Sequence, residues 1–199
     1  MGRPHGNRGL IYFLQETAIV VIGVLIAFSI NRFSENLANE RYLEKTFQAI
    51  EQEVRLNQAQ MDSILKRHLQ FYEEVENRRD SSRLSLGEFL IDLGGVQGAS
   101  QKNISLRFFI AHKADLLDYD LLIQLIEIEE SQKLLERKTT QLVDYAVENI
   151  NDRSSECKLQ FSYLLANVID SEMALSEGYG YFLEAHQSEL QTAVDSSKS

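Results

Sequence analysis

The feature that most constrains this chain is an apolar stretch near its start, LIYFLQETAIVVIGVLIAFSIN, residues 10–31. At about 1.5 Å per residue, a helix of this length spans roughly the 30 Å hydrocarbon layer of a bilayer. Until Asn31, only Gln15 and Glu16 interrupt its apolar and weakly polar residues. The stretch therefore predicts one transmembrane helix, with the lipid bilayer as its first partner.

Two other interpretations of this stretch stay open. Arg3 and Arg8 give a basic start, and 27–29 (Ala-Phe-Ser) resembles the small-x-small site at which signal peptides are cleaved. The run is longer than a usual signal-peptide core and contains Glu16, which favours a retained anchor. A buried helix of a soluble protein is the other alternative, but nothing later in the chain is apolar enough to surround it.

One stripe of the predicted transmembrane helix is a candidate interface. Alternating steps of four and three residues place Glu16, Val20, Gly23, Ala27 and Ile30 on it. Gly23-x-x-x-Ala27 is a pair of small residues that permits close helix approach, so we expect self-association here. A carboxylate in a membrane segment is costly, and Glu16 could serve at the headgroup interface, in an oligomer contact or in an ion pathway.

After the apolar stretch the chain becomes charged, yet neither Gly nor Pro occurs between Gly23 and Gly87. The helix is therefore predicted to continue through 32–80, like a coiled coil. Steps of four and three define a seam on it, with eight apolar residues at ten positions. The seam consists of Leu43, Phe47, Ile50, Val54, Asn57, Met61, Ile64, His68, Phe71 and Val75. Phe47 and Phe71 are large for a two-stranded zipper, which favours packing on later helices of the same chain, with oligomerisation added.

Asn57 and His68 are the two polar residues of the seam. A polar residue at a core position can fix helix register and partner number at some cost in stability. His68 could also titrate near neutral pH and act as a switch. The simpler interpretation for both is a hydrogen-bonded or rim-facing side chain.

The remaining chain divides into three parts. A loop over 81–102 is predicted to contain a short helix, Leu86 to Leu93, capped by Ser85 and ended by two glycines. A helical bundle is predicted over 103–176, and a weak helix and tail over 177–199. With the polar tail 1–9, this gives an all-α protein.

Within that bundle we expect a helical region over 104–127, broken near Lys113. The stretches 131–151 and 156–175 are expected to form an antiparallel helical hairpin. The sequence Gly178-Tyr179-Gly180 is expected to end the bundle.

The net charge of the chain after the apolar stretch argues against one class of partner. Removing Arg3, Arg8 and Arg32 from the 20 Lys and Arg, and Glu16 from the 30 Asp and Glu, leaves 17 against 29. This net charge of −12 after residue 32 argues against nucleic acid as a partner.

No catalytic, cofactor-binding or metal-binding residue is predicted. The four His are widely separated, and no zincin, nucleophile-elbow, C-x-x-C or Walker sequence occurs. Asp115, Asp118 and Asp120 lack the Gly-bearing turn of a calcium loop and are interpreted as helix-capping or solvated charges. Cys157, the only Cys, is interpreted as a structural, partly buried thiol. An enzyme is therefore not expected.

Residues 16–35, ETAIVVIGVLIAFSINRFSE, resemble the N-terminal signature of an uncharacterised family of small bacterial membrane proteins, a domain of unknown function. That signature reads G-E, an apolar run with V-V-I-G-I-L-I-A-L, then I-N-N-W-N-E. The matching residues are Glu16, Val20, Val21, Ile22, Gly23, Leu25, Ile26, Ala27, Ile30, Asn31 and Glu35. The departures are Gln15 for Gly, Arg32 and Ser34 for Asn, and Phe33 for Trp. The resemblance implies a single-pass protein of the bacterial inner membrane with a helical C-terminal region, and it implies no activity.

Orientation and role follow as expectations. The N-terminal tail is basic and contains no acidic residue, whereas the other flank carries Glu35, Glu40 and Glu44, so we expect a cytoplasmic N-terminus and a helical domain outside the cytoplasm.

The expected role is a membrane-anchored scaffold that binds copies of itself or another membrane or envelope protein. The alternative is a sensor or a channel-like, ion-coupled component that uses Glu16 in an oligomeric transmembrane interface.

Overall fold

The computed structural model describes residues 7–98, 101–113 and 119–196. These ranges contain α-helices and no strand, which confirms the predicted all-α class. The helices are α1 (Asn7–Arg78), α2 (Leu86–Asp92), α3 (Ile104–Lys113), α4 (Tyr119–Glu148) and α5 (Ser155–Ser196).

Helix α1 runs without interruption through the apolar stretch and the seam, as the absence of Gly and Pro after Gly23 predicted. The chain divides into two units, Met1–Phe47 and Gln48–Ser199, and α1 contributes to both. In the first unit every residue of 12–38 is exposed. An 18-residue window of α1 has a mean hydropathy of 2.1 and no buried residue. By length and composition, α1 is therefore able to cross a membrane.

The core of the second unit is built on the seam of α1. The seam residues of this unit are all buried, and Phe71 packs its ring edge-to-face against Phe161 of α5, with the ring centroids 6.5 Å apart. These buried residues are Ile50, Val54, Asn57, Met61, Ile64, His68, Phe71 and Val75. The seam is thus confirmed, and later helices of the same chain cover it.

Helices α4 and α5 form the predicted antiparallel hairpin, joined through 149–154. Two hydrogen bonds show that the helices are antiparallel, because the later residue of α4 meets the earlier residue of α5. Lys138 Nζ donates to the carbonyl of Asn167 at 3.1 Å, and Tyr145 Oη donates to the carbonyl of Cys157 at 3.1 Å. Both helices are longer than predicted. Helix α4 begins at Tyr119 rather than near residue 131.

The expectation that Gly178-Tyr179-Gly180 ends the bundle is wrong, because α5 continues through these residues to Ser196. Tyr179 is fully buried, and Phe182 beyond it is also in the core. A Cβ at Gly180 would lie 3.2 Å from Gln58 Nε2, so this glycine lets α5 approach α1 closely. Burial of these large side chains outweighs the cost of about 1 kcal/mol that each helical glycine carries.

The short helix α2 is confirmed, with Ser85 as its N-cap in a capping box. The amide of Glu88 donates to Ser85 Oγ at 3.3 Å, and the amide of Ser85 donates to Glu88 Oε2 at 2.9 Å. After α2 the chain turns through Gly94 and Gly95, whose φ angles of 91° and 75° favour glycine.

The first turn of α2 rests on the turn between α4 and α5. The amide of Leu86 donates to the carbonyl of Asp152 at 2.7 Å, and the amide of Gly87 donates to that of Ile150 at 2.8 Å. A Cβ at Gly87 would lie 2.5 Å from Ile150 Cγ1, so only glycine fits this approach without a shift. These bonds satisfy amides that a helix start leaves unpaired.

The predicted break near Lys113 coincides with the end of α3. Three acidic residues follow this break, and two of them, Asp115 and Asp118, lie outside the described residues. The start of the polar tail 1–9 also lies outside them. Asp120 lies in the first turn of α4 and is exposed.

Candidate functional site

The predicted transmembrane interface lies on an uncovered helix surface. Glu16, Val20, Gly23, Ala27 and Ile30 are all exposed in the first unit. A Cβ at Gly23 would meet no atom within 4 Å, so a partner helix has room to approach there. Self-association through this stripe stays a prediction.

In the second unit, His68 of the seam forms a buried pair with Glu172 of α5. Nδ1 of His68 lies 2.9 Å from Glu172 Oε2, and the two side chains are 5% and 2% exposed. A carboxylate this far from water requires a charged or hydrogen-bonding partner. The pair therefore links α1 to α5 through the core.

The other ring nitrogen of His68 contacts the segment after α2. Nε2 lies 2.7 Å from the carbonyl oxygen of Gln97. Burial is the largest single effect on the pKa of His68 and lowers it. The hydrogen bond with Glu172, the charge of Glu172 and the hydrogen bond to Gln97 each raise this pKa, and together they bring it above 6.5. The His68 side chain is thus hydrogen-bonded at both ring nitrogens, and these contacts favour its protonated form.

Asn57, the second polar seam residue, holds the segment that leads into α3. Its Nδ2 donates to the carbonyl of Lys102 at 2.5 Å, and the amide of Lys102 donates to Asn57 Oδ1 at 2.9 Å. One turn earlier on α1, Glu53 accepts hydrogen bonds from the amide of Ser105 at 3.0 Å and from its hydroxyl at 3.1 Å. Glu53 thereby places a negative charge at the N-terminus of α3, where the helix dipole favours it.

A second buried polar pair joins α4 and α5. Gln132 Nε2 donates to Tyr179 Oη at 2.8 Å, and the amide groups of Gln132 and Asn103 lie 3.1 Å apart. Burial raises the pKa of Tyr179 to about 12, although the hydrogen bonds with Gln132 and Asn57 lower it in part. Tyr179 therefore stays neutral at physiological pH.

Lys158 is a fully buried cation of α5. Its Nζ donates to the carbonyls of Ser82 at 3.0 Å and Arg153 at 3.2 Å, and it lies 5.6 Å from the ring centroid of Phe89. Two carbonyl oxygens and an aromatic face replace part of the water lost on burial. This contact ties the turn after α1 to the turn before α5.

A cavity of about 370 Å³ is lined by both His68 and Glu172, and a second of about 290 Å³ is lined by His68 and Gln97. The larger one is lined by polar side chains that include Arg107, Lys133 and Glu136, and by apolar residues such as Val168. Among the described residues, no group of three or more His, Cys, Asp or Glu side chains is placed to hold a metal ion. His68 and Glu172 thus form a hydrogen-bonded polar pair beside this cavity.

Glu172 and Gln132 are two of the polar core residues that the sequence interpretation missed; the others include Lys158, Ser162, Ser171 and His186. Glu172 and Gln132 both lie at seam-like positions that the same steps of four and three would have found. On α5 the buried residues at these steps are Cys157, Phe161, Leu165, Val168, Glu172, Leu175, Tyr179, Phe182 and His186. On α4 it is Leu125, Ile128, Gln132, Leu135 and Leu142. A polar residue in such a series is the signal for a buried hydrogen-bonded pair.

In comparisons with protein-family models, with curated proteins and with solved structures, nothing matched this chain.

Proposed function

We propose that this chain is a single-pass protein of the bacterial inner membrane whose acidic helical unit acts as an interaction scaffold. The observation that carries the proposal is the exposed apolar window of α1, with a mean hydropathy of 2.1 and no buried residue. In water this surface would cost about 25 cal/mol per Å² of apolar area, a cost that lipid removes. The resemblance of 16–35 to a family of small bacterial membrane proteins also supports this location.

The scaffold role rests on the second unit. It offers long helical surfaces and a core whose polar groups bond one another and the backbone. Exposed apolar side chains of this unit, such as Ile91, Val143 and Val147, provide contact area for a protein partner. The partner is a second copy of the chain or another membrane or envelope protein.

The membrane assignment is tested by fractionation of cells that produce the full chain. We expect the chain in the membrane pellet after washes with high salt and alkaline carbonate, released by detergent, with the mass of the uncleaved sequence. An intact chain that is soluble without detergent would overturn the proposal. A product shortened near residues 27–29 would instead identify a cleaved signal peptide.

The orientation we propose places the N-terminus in the cytoplasm. It follows from the basic tail before the apolar stretch and the acidic flank after it. A reporter active only outside the cytoplasm, fused after Ser199, should be active. A silent but stably produced fusion, together with an active cytoplasmic reporter at the same position, would reverse the orientation.

An ion-coupled sensor or channel component is the second candidate, favoured by the exposed carboxylate of Glu16 among apolar side chains. Glu16→Gln separates the two roles. A scaffold should keep its crosslinked partners and its cellular phenotype, whereas an ion-coupled protein should lose activity with assembly intact.

Gly23→Leu should lower the yield of crosslinked oligomer if the small-residue stripe is the interface.

A further inference from the structure

The segment Gly94–Gly98, which we name the strap, follows α2 and crosses the surface above His68. Gly94, Gly95, Gln97 and Gly98 are exposed, and Val96 is half-buried. Its contacts with α1 come from Gln97, whose carbonyl faces His68 Nε2 at 2.7 Å and whose side-chain oxygen accepts a hydrogen bond from Arg67. The Arg67 contact is exposed to solvent and is worth little on its own.

Both ring nitrogens of His68 face hydrogen-bond acceptors. The carbonyl oxygen of Gln97 accepts hydrogen bonds and has no proton to donate. The same holds for the ionised carboxylate of Glu172. Two N–H groups are therefore needed at once, and only the protonated imidazolium carries both. A neutral imidazole has one N–H and must leave one of the two acceptors without a donor.

We infer that the His68–Glu172 pair is a pH-operated latch, in which protonated His68 holds the strap against α1 and deprotonated His68 releases it. This inference does not depend on the proposed membrane role, because every group in it lies within the second unit.

The carboxylate decides which contact is lost. A hydrogen bond to a charged acceptor is roughly twice as strong as one to a neutral carbonyl, so the single proton of neutral His68 stays on Nδ1, facing Glu172. Nε2 then presents a lone pair to the Gln97 carbonyl at a separation of 2.7 Å. That arrangement is repulsive, and the strap moves away while the core pair remains bonded.

Other charges around His68 are balanced. The groups that face it or line the two adjacent cavities are Glu172 of α5, Lys133 and Glu136 of α4, Arg107 of α3, and Arg67 and Glu74 of α1. Three are cations and three are anions, and Glu172 alone touches the ring among them. The pair of His68 and Glu172 therefore governs the titration. Since Val96 and Gly98 line the cavity that Glu172 also lines, and Gln97 lines the other, release of the strap opens a path for solvent to Glu172.

The test is the backbone order parameter of the strap, measured by ¹³Cα relaxation on the full ¹³C-labelled chain in detergent micelles from about pH 5.5 to about pH 9. This quantity reports how rigidly each residue is held. Because release requires the loss of one proton from His68, the order parameters of Val96, Gln97 and Gly98 should be high at low pH and fall as the pH rises from about 6.5 through the pKa of latched His68. Values that are constant over this range would overturn the inference.

Three variants identify the groups. His68→Gln should abolish the pH step, because an amide does not titrate. Glu172→Gln should keep the strap ordered at high pH, because neutral His68 can then donate from Nε2 while Nδ1 accepts from the new amide. His186→Gln, a change at a second buried histidine of the described residues, should leave the step as it is.

A step that persists in either of the first two variants would contradict the latch. If His68→Gln does not fold, Glu172→Gln alone still decides. Ring ¹⁵N chemical shifts of the unaltered protein give an independent readout. They should show the Nδ1–H form of His68 at high pH, and an Nε2–H form would contradict the latch.

Discussion

At the scale of single residues, the close approach of α2 to the α4–α5 turn depends on Gly87. Gly87→Ala should lower the free energy of unfolding by about 1–2 kcal/mol, because the new Cβ overlaps Ile150 Cγ1 and approaches the Ile150 carbonyl. Chemical denaturation followed by circular dichroism measures the change.

Gly178→Ala is the matched control for Gly87→Ala. This helical glycine has no atom within 4 Å of a built Cβ, so alanine should stabilise α5 by up to about 1 kcal/mol. Equal effects of the two substitutions would show that backbone freedom, not the contact with Ile150, decides the result at Gly87.

His68 also gives the second unit a pH-dependent stability. Its pKa in the folded state is raised above the value of 6.5 expected when unfolded, so the folded protein binds the proton more tightly. The stabilisation is complete below about pH 6.5 and is lost as the pH rises through the folded pKa. Thermal unfolding midpoints should therefore fall over this window in the unaltered chain. An equal fall in His68→Gln would assign the effect to other groups.

At the scale of elements, the connection into α3 depends on the two hydrogen bonds between Asn57 and Lys102. Asn57→Ala should destabilise the second unit by about 1–3 kcal/mol, because it removes both bonds and leaves the backbone groups of Lys102 unpaired. Gln60→Ala, an exposed change one turn later on α1, should alter stability by less than about 0.5 kcal/mol. Chemical denaturation of both variants measures the difference, and similar losses in both would contradict the role of Asn57.

Sequence periodicity predicted the helices and the buried face of α1, because a helix that covers a core must repeat its apolar residues every three or four positions. It also marked Asn57 and His68 as polar seam residues. Their backbone partners could not be predicted in the same way. Gln97 and Lys102 lie 29 and 45 residues away in a nonperiodic segment, and they bond through backbone atoms that leave no trace in side-chain pattern.

The error at Gly178 and Gly180 has a related cause. Local propensity favours a helix end at paired glycines, whereas the burial of Tyr179 and Phe182 is a tertiary effect that a local rule cannot include. Seam positions continued along α5 would have predicted the helix through both glycines.

At the scale of the whole molecule, the two units should differ in their need for lipid. A chain that begins at Arg32 lacks the apolar stretch 10–31 of α1 and retains the whole second unit. We expect this shortened chain to remain in solution without detergent and to unfold in one cooperative transition, and the full chain to require detergent. Sedimentation of both proteins with and without detergent measures this. A shortened chain that also needs detergent would place the apolar surface elsewhere.

The buried ammonium of Lys158 gives the second unit an internal reporter. Amine-reactive reagents acylate lysines that reach water, and Lys158 has no exposed surface in the folded chain. Its acylation must wait until the helices separate, whereas the half-exposed Lys133 reacts from the native state. The ratio of the two labelling rates therefore follows the opening of the bundle under native conditions, without any denaturant.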